Sequence, residues 1–361
     1  MKANRLLHIG CLINPGNGII NQMMWEKKAA DSCNIQLDTI LFTTDKYSQY
    51  SVCKTYKKFD SEILTYLNIR IRFVIWLLKN KSNYELILLR YSPYDPFQYF
   101  ISFFLKKYLT VHHTFEFEEI LVSKKFVKLK CFFEMFFSKI VLRNAIGIVG
   151  VTNEICEYEA KRVNLPLKYI VYPNGILSDF LASKINSDYL ECVFVSSLFQ
   201  SWTGIDILIK EYKKYGDLGI KIHLIGSISP DLLTEIKGST LFVLHGELDS
   251  EEIRLIYNKC TLAISSFGFD KKNMKEACPL KSREYLSAGL PVVGSYNDAA
   301  LPENFPYYNK IPPSLIEIKN IAQKSINFNR RDIRESSEPY INKIEILKRL
   351  TNNLDILLNK V

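Results

Sequence analysis

Short apolar runs alternate with stretches of helical period along the chain, and the series is run through twice. In the first half, Leu6 to Leu12, Leu37 to Thr43, Tyr84 to Arg90, Tyr108 to His113, Ala145 to Val151 and Tyr169 to Tyr172 read as strands. In the second half, Cys192 to Ser197, Lys221 to Gly226, Leu241 to His245, Leu262 to Ser266 and Pro291 to Ser295 do the same. Helices such as Gly204 to Tyr215 and Ser250 to Asn258 lie between them. Strands separated by helices build βαβ units and a mostly parallel sheet. The fold class is therefore α/β, with two doubly wound domains. Their expected bounds are 1–173 and 189–335, joined by a linker over 174–188 that opens at the Pro173-Asn174-Gly175 turn. A helical tail follows over 336–361.

A length of 361 residues suits two domains with sizeable cores, and 47% hydrophobic with 24% charged residues is ordinary for a water-soluble chain. The eight cysteines are scattered, with no C-x-x-C pair and no Cys/His cluster, so neither a zinc site nor a disulfide framework is expected. A reducing cytoplasmic compartment is the simplest setting. The charged start and short apolar run at Leu6 to Leu12 read as a first strand rather than a signal peptide. Phe73 to Leu78 and Phe100 to Leu105 are too short to span a bilayer.

The net charge of +9 comes with no nucleic-acid motif, so nucleic acid is not an expected partner. Basic and aromatic residues are concentrated together in Lys124 to Lys139, which reads as a helix with one greasy side. Such a helix either packs as a core helix, burying Phe133 and Phe137, or lies on an anionic membrane surface at the inner face of a membrane.

The most informative stretch runs from Glu276 through Cys278-Pro279-Leu280-Lys281 to Glu284, and on to Gly289-Leu290-Pro291-Val292-Val293. Pro279 is tolerated only at or before the first turn of a helix, which puts Glu276 in a loop and Glu284 in the helix. The amides around Leu280 and Lys281 then form an anion-binding helix start. Gly289 stops the helix ahead of a buried strand. Two carboxylates flanking an anion site suit a nucleotide sugar, whose diphosphate needs donors and whose hydroxyls need acceptors.

This stretch resembles the E-x7-E signature of the family 4 retaining glycosyltransferases, in the branch that carries Ser/Cys-Pro-Leu-Lys. The resemblance implies a GT-B fold, two Rossmann-like domains facing a central cleft, with the final helix crossing back to the first domain. It implies that Glu276 faces the donor sugar, that Glu284 binds the ribose, and that Pro279, Leu280 and Lys281 hold the diphosphate. Phe194 to Asp206 matches the family's strand-to-helix turn, but Ser197 and Thr203 stand where many members carry arginine and lysine. Two charge-assisted phosphate contacts are thereby lost, leaving Lys281, neighbours such as Arg283, or the two hydroxyls to serve.

In the first domain Gly16-Asn17-Gly18 resembles the family's glycine-rich loop, a phosphate or acceptor site, with an ordinary turn as the other reading. His113, ahead of His112, matches the histidine that faces the donor sugar and acceptor, and an edge-of-core histidine is the alternative. His8, His223 and His245 read as structural. No Asp-x-Asp motif occurs, so no metal and no cofactor beyond the donor substrate is expected. The implied activity is metal-independent transfer of a sugar from a nucleotide diphosphate to a glycan or lipid-linked oligosaccharide in surface polysaccharide or glycolipid assembly. The alternatives are a catalytically silent sugar-nucleotide-binding or scaffold protein, and a GT-B sugar-nucleotide epimerase.

Overall fold

The computed structural model describes residues 5–121, 126–183 and 190–359. Lys124 and Lys125 of the basic aromatic segment, and 184–188 of the linker, lie outside the described residues. Contacts divide the chain into two units: Met1–Leu177 with Lys343–Val361, and Ser178–Asn342.

The first unit runs β1 (Leu6–Cys11), α1 (Asn17–Ser32), β2 (Leu37–Thr44), β3 (Cys53–Tyr56), α2 (Glu62–Asn80), β4 (Leu86–Arg90) and α3 (Pro96–Ser102). It continues with β5 (Tyr108–His112), α4 (Glu116–Leu121), α5 (Val127–Asn144), β6 (Gly147–Gly150), α6 (Asn153–Val163) and β7 (Tyr169–Val171). The sheet order is β3-β2-β1-β4-β5-β6-β7, parallel throughout. The chain steps outward from β1 and then restarts at β4 on its other side, which makes the β1/β4 edge a topological switch point.

The second unit repeats this order with β8 (Leu190–Leu198), α7 (Ile205–Tyr215), β9 (Ile220–Ser227), α8 (Pro230–Ile236), β10 (Phe242–Gly246), α9 (Ser250–Lys259) and β11 (Leu262–Ile264). Then come β12 (Glu276–Ala277), α10 (Leu280–Ser287), β13 (Val292–Gly294), β14 (Asn297–Asp298), β15 (Tyr308–Lys310), α11 (Leu315–Ser325) and α12 (Arg330–Ile341). Its main sheet is β10-β9-β8-β11-β13-β15, again parallel, with the switch point between β8 and β11. β3 and β15 add edge strands to those expected. Their half-polar sequences, Cys-Lys-Thr-Tyr and Tyr-Asn-Lys, lack the apolar run that marks an interior strand.

Strand side chains alternate between two apolar layers. In the first unit Leu86 and Leu88 face one layer while Ile87 and Leu89 face the other. The layer under Leu86 is closed by the last helix, α13 (Lys343–Asn359), through Ile346, Leu347, Leu350, Leu354 and Leu357. The opposite layer is closed by Ile69, Phe73 and Leu77 of α2, Ile101 of α3 and Val141 of α5. The second unit is built likewise, with α7 and α11 over Cys192 and Phe194, and α10 and α12 over Val193. All eight cysteines are free thiols. Among the described residues no helix is long and apolar enough to cross a membrane.

Candidate active site

The switch point of the second unit is shaped by a bulge. The β8/β9 register slips between Val195 and Leu198, and the Val195 amide instead donates to the Tyr285 hydroxyl of α10 at 2.8 Å. Gly226 makes the slip possible. At φ +126° its position admits no side chain, since a Cβ would lie 1.6 Å from the Ser196 carbonyl oxygen. The result turns Ser197 outward, exposed at the end of β8.

Three buried hydroxyls fix the start of α10. Ser282 Oγ, Ser265 Oγ beyond β11 and Tyr296 Oη beyond β13 form a triangle with sides of 2.7, 2.8 and 2.9 Å. Gly289, at φ +78°, ends the helix against the Arg330 backbone, as its stop signal required. Glu276 lies in the two-residue strand β12 rather than in a loop, paired in parallel with Asn297 of β14. Strands this short leave no periodic trace in a sequence.

Arg283 holds this small ribbon. Its guanidinium is fully buried, spans both carboxylate oxygens of Asp298 in β14, and donates to Cys278 Sγ at 2.9 Å. The expectation that Arg283 approaches donor phosphates is therefore corrected: its donors are engaged in holding the β12–β14 ribbon that carries Glu276.

Pro279 caps α10 with extended backbone and brings no capping side chain, so the first-turn amides at Leu280 and Lys281 are left for an outside acceptor. The Lys281 stem is half-buried but its ammonium is sealed, 4.7 Å over the Phe194 ring of β8 and without any hydrogen-bond partner. Burial lowers its pKa from 10.5 to about 7. Among the described residues of the second unit, Lys281 Nζ and Ser266 Oγ are the only buried side-chain nitrogen or oxygen atoms without a hydrogen-bond partner. Ser266 lies two residues past the end of β11, at the same switch point. Burial likewise raises the Glu284 carboxyl from 4.5 to about 7, and no counter-charge offsets it. An unpaired cation at the positive end of a helix dipole is a site built for an anion.

Thr203 is fully buried, and its hydroxyl donates to the Gln200 carbonyl at 2.7 Å and accepts from the Ile205 amide at 3.4 Å. That hydroxyl serves its own turn. Two cations absent from the sequence reading lean over the same turn. Lys271 Nζ contacts the Ser201 carbonyl and the Asp206 carboxylate at 2.8–2.9 Å, and Lys272 Nζ lies 5.1 Å over Trp202. Their only trace is a Lys-Lys pair between Gly268 and Asn273, seventy residues from the turn they reach.

In the first unit, Gly16, Asn17 and Gly18 are exposed at the uncapped start of α1. Gly16 is at φ −66° with open space around it, so backbone geometry does not demand glycine there. The two histidines part company. His112 is fully buried, stacked on Tyr91 at 4.7 Å, with Nδ1 3.2 Å from Glu116. His113 is half-buried, and its Nε2 accepts from Arg90 Nη1 at 2.7 Å, which leaves its ring proton on Nδ1. Burial and the Arg90 charge hold its pKa well below the usual 6.5, so the ring is neutral.

His8 lies in a buried network with Glu26, and His223 links His245 to Glu191. His112, Glu116 and Glu159 bring ligand-type atoms within 4.8 Å of one another. The Arg162 guanidinium already sits on Glu159 and Glu134, and burial raises Glu116 to about 8 and Glu159 to about 7.

Two parallel-sheet α/β units in this strand order, the second with its open site at the switch point, define the GT-B fold. Solved structures bear this out over almost the whole chain. One is the lipopolysaccharide outer core galactosyltransferase WaaB in its apo form, at 12% identity and TM-score 0.67, covering 99% of this chain and 100% of that one. Another is sucrose-phosphate synthase from Thermosynechococcus elongatus, at 14% identity and TM-score 0.66, with the same coverages. A third is HepE of Anabaena in complex with UDP and glucose, at 13% identity and TM-score 0.64, covering 98% and 99%. No protein-family model matches the chain, and no curated protein matches its sequence.

Proposed function

We propose that this protein is a retaining glycosyltransferase that moves a sugar from a nucleotide-diphosphate donor to an acceptor hydroxyl. The observation that carries the proposal is the sealed, unpartnered Lys281 ammonium at the start of α10, one turn before the unpaired Glu284 carboxyl. A donor diphosphate supplies the missing anion, and ribose hydroxyls satisfy the carboxylate. The fold is shared with structures described as bound to UDP and to ADP, which supports a nucleotide ligand.

In this mechanism the transition state has oxocarbenium character, so charge develops on the leaving diphosphate. Lys281 and the α10 amides stabilise that charge, with the Ser266 hydroxyl as a further donor. Lys272, over Trp202, is the cation offered to the donor phosphates at the turn where Ser197 and Thr203 carry no charge, and Lys271, held by Asp206, keeps that turn in place. Glu276, held by the Arg283–Asp298 pair, orients the donor sugar. The leaving phosphate accepts the acceptor proton in a front-face transfer, and neutral His113 positions the sugar or acceptor. The acceptor class is a glycan or lipid-linked oligosaccharide of surface polysaccharide or glycolipid assembly.

A thermal-shift screen against UDP-, GDP-, ADP- and CMP-sugars tests the reading, because a ligand of the native state raises Tm by mass action. Stabilisation by one nucleotide class, lost in Glu284→Ala, is the expected result; no shift with any donor contradicts it. Stabilisation without sugar transfer marks a binding protein, and conversion of the donor with no acceptor present marks an epimerase.

A further inference from the structure

The helices α2, α3 and α5, which close one side of the first unit, leave a continuous apolar face uncovered. α3 packs against both of the others. On α2, Ile63, Leu67, Ile71 and Ile75 recur every four residues, so they share one face, and each is between 38% and 71% exposed. Ile71 and Ile75 meet Phe97 and Phe100 of α3 in an open hollow of about 270 Å³.

The face continues onto α5 through rings in contact. Tyr99 of α3 lies 5.8 Å from Phe136 and 4.9 Å from Phe137, and Phe133 stacks on Phe137 at 5.5 Å. Phe132, Met135 and Phe136 are more than half exposed, and Phe103 at the end of α3 is 57% exposed. The core-helix expectation holds only in part: Phe137 is half-buried and Phe133 is 38% exposed. Uncovered apolar surface on this scale marks an interaction site.

Charge says which kind of partner covers it. Across 63–83, 96–107 and 126–144 the only acidic side chain is Glu134, and it is fully buried beneath α5. Arg72, Lys79, Lys106, Lys107, Lys128 and Lys139 are exposed on the same segments. A second copy of this face would bring cation against cation. An anionic bilayer instead takes aromatic and aliphatic side chains at the acyl boundary and lysines at its phosphates.

We propose that the α2–α3–α5 face docks the protein on the surface of an anionic lipid membrane, with no segment crossing it. The proposal goes beyond the glycosyltransferase reading and does not depend on it. It differs from a single amphipathic helix in requiring three helices that are adjacent in space and scattered in sequence.

Flotation of the full chain with vesicles of phosphatidylcholine, and of phosphatidylcholine mixed with phosphatidylglycerol, tests it. The expected result is recovery with the mixed vesicles only, reduced by added salt. Recovery should fall roughly tenfold in Phe132→Ser/Phe136→Ser on α5 and also in Phe100→Ser/Phe103→Ser on α3. These side chains are exposed, and an unchanged Tm in each variant shows that the fold survives. Any nucleotide-sugar thermal shift should be unaltered, which separates failure of this proposal from failure of the donor site. Absence from both vesicle types, or recovery that the α3 variant leaves intact, overturns it. So does a concentration-dependent dimer that Phe132→Ser/Phe136→Ser dissolves, since the face would then be covered by a second copy.

Discussion

Lys281 combines three unfavourable features that natural sequences rarely put together: a sealed ammonium, no counter-ion, and a place at the positive end of a helix. The depression from 10.5 to about 7 makes it a destabilising residue. Below pH 7 the folded chain bears the full cost of the buried charge, about 5 kcal/mol at most. Between pH 7 and 10.5 the folded state sheds the proton that the unfolded state keeps, so stability recovers as pH rises through that window. Lys281→Met is therefore expected to raise Tm near neutral pH, with the gain shrinking toward pH 10.5. Thermal melts of both proteins across that range check it. Glu284 acts in the opposite sense, costing stability as pH rises from 4.5 toward 7. The positions of Lys281 and Glu284 were legible from Pro279 and the spacing around it. The isolation of the Lys281 charge was not, because it depends on Phe194, in a strand some ninety residues earlier.

At the scale of elements, the site depends on contacts that bring distant segments together at the strand ends. The hydroxyl triangle of Ser265, Ser282 and Tyr296 aligns the α10 start with β11, and the Arg283–Asp298 pair keeps β12 on β14. Breaking a buried pair leaves an uncompensated charge, typically costing about 3–5 kcal/mol. Asp298→Asn keeps the shape and removes the charge beside Arg283. Its expected effect is a lower urea midpoint with an unchanged slope, together with loss of donor turnover as Glu276 loses its support. An unchanged midpoint would show that the pair does not hold the ribbon. The interior strands were legible because they are short apolar runs between helices. β12 and β14 were not, since two residues carry no period, and nothing in the segment Asp270-Lys271-Lys272 indicated that it would reach the turn at Ser201.

For the molecule as a whole, the last helix is part of the first unit although 165 residues of the second unit intervene. α13 enters with Lys343, whose amide donates to Ile176 at 2.9 Å and whose ammonium lies 4.1 Å over the Tyr172 ring, beside Glu26. Its apolar face then packs against α1 and β7 and closes the layer that holds Leu86 and Leu88. Leu350 is almost completely buried there, and Leu350→Ala should cost about 2–5 kcal/mol through lost burial and a residual cavity. A chemical-denaturation series should show that loss, and a variant as stable as the parent would mean that α13 does not contribute to the core. The two doubly wound units were legible from the alternation of runs. The three-helix apolar face was legible only on α5, because α2 and α3 join it through folding alone.

The central claim is that Lys281 waits for the diphosphate of a nucleotide. Isothermal titration of UDP, GDP, ADP and CMP into the parent protein and Lys281→Met tests it most directly. The parent should bind one nucleoside diphosphate with uptake of a proton above pH 7, seen as a heat that depends on the buffer's ionisation enthalpy. Lys281→Met, folded and more stable, should lose roughly tenfold or more in affinity, with the proton uptake abolished. Equal affinity and equal proton uptake in the two proteins would contradict the account.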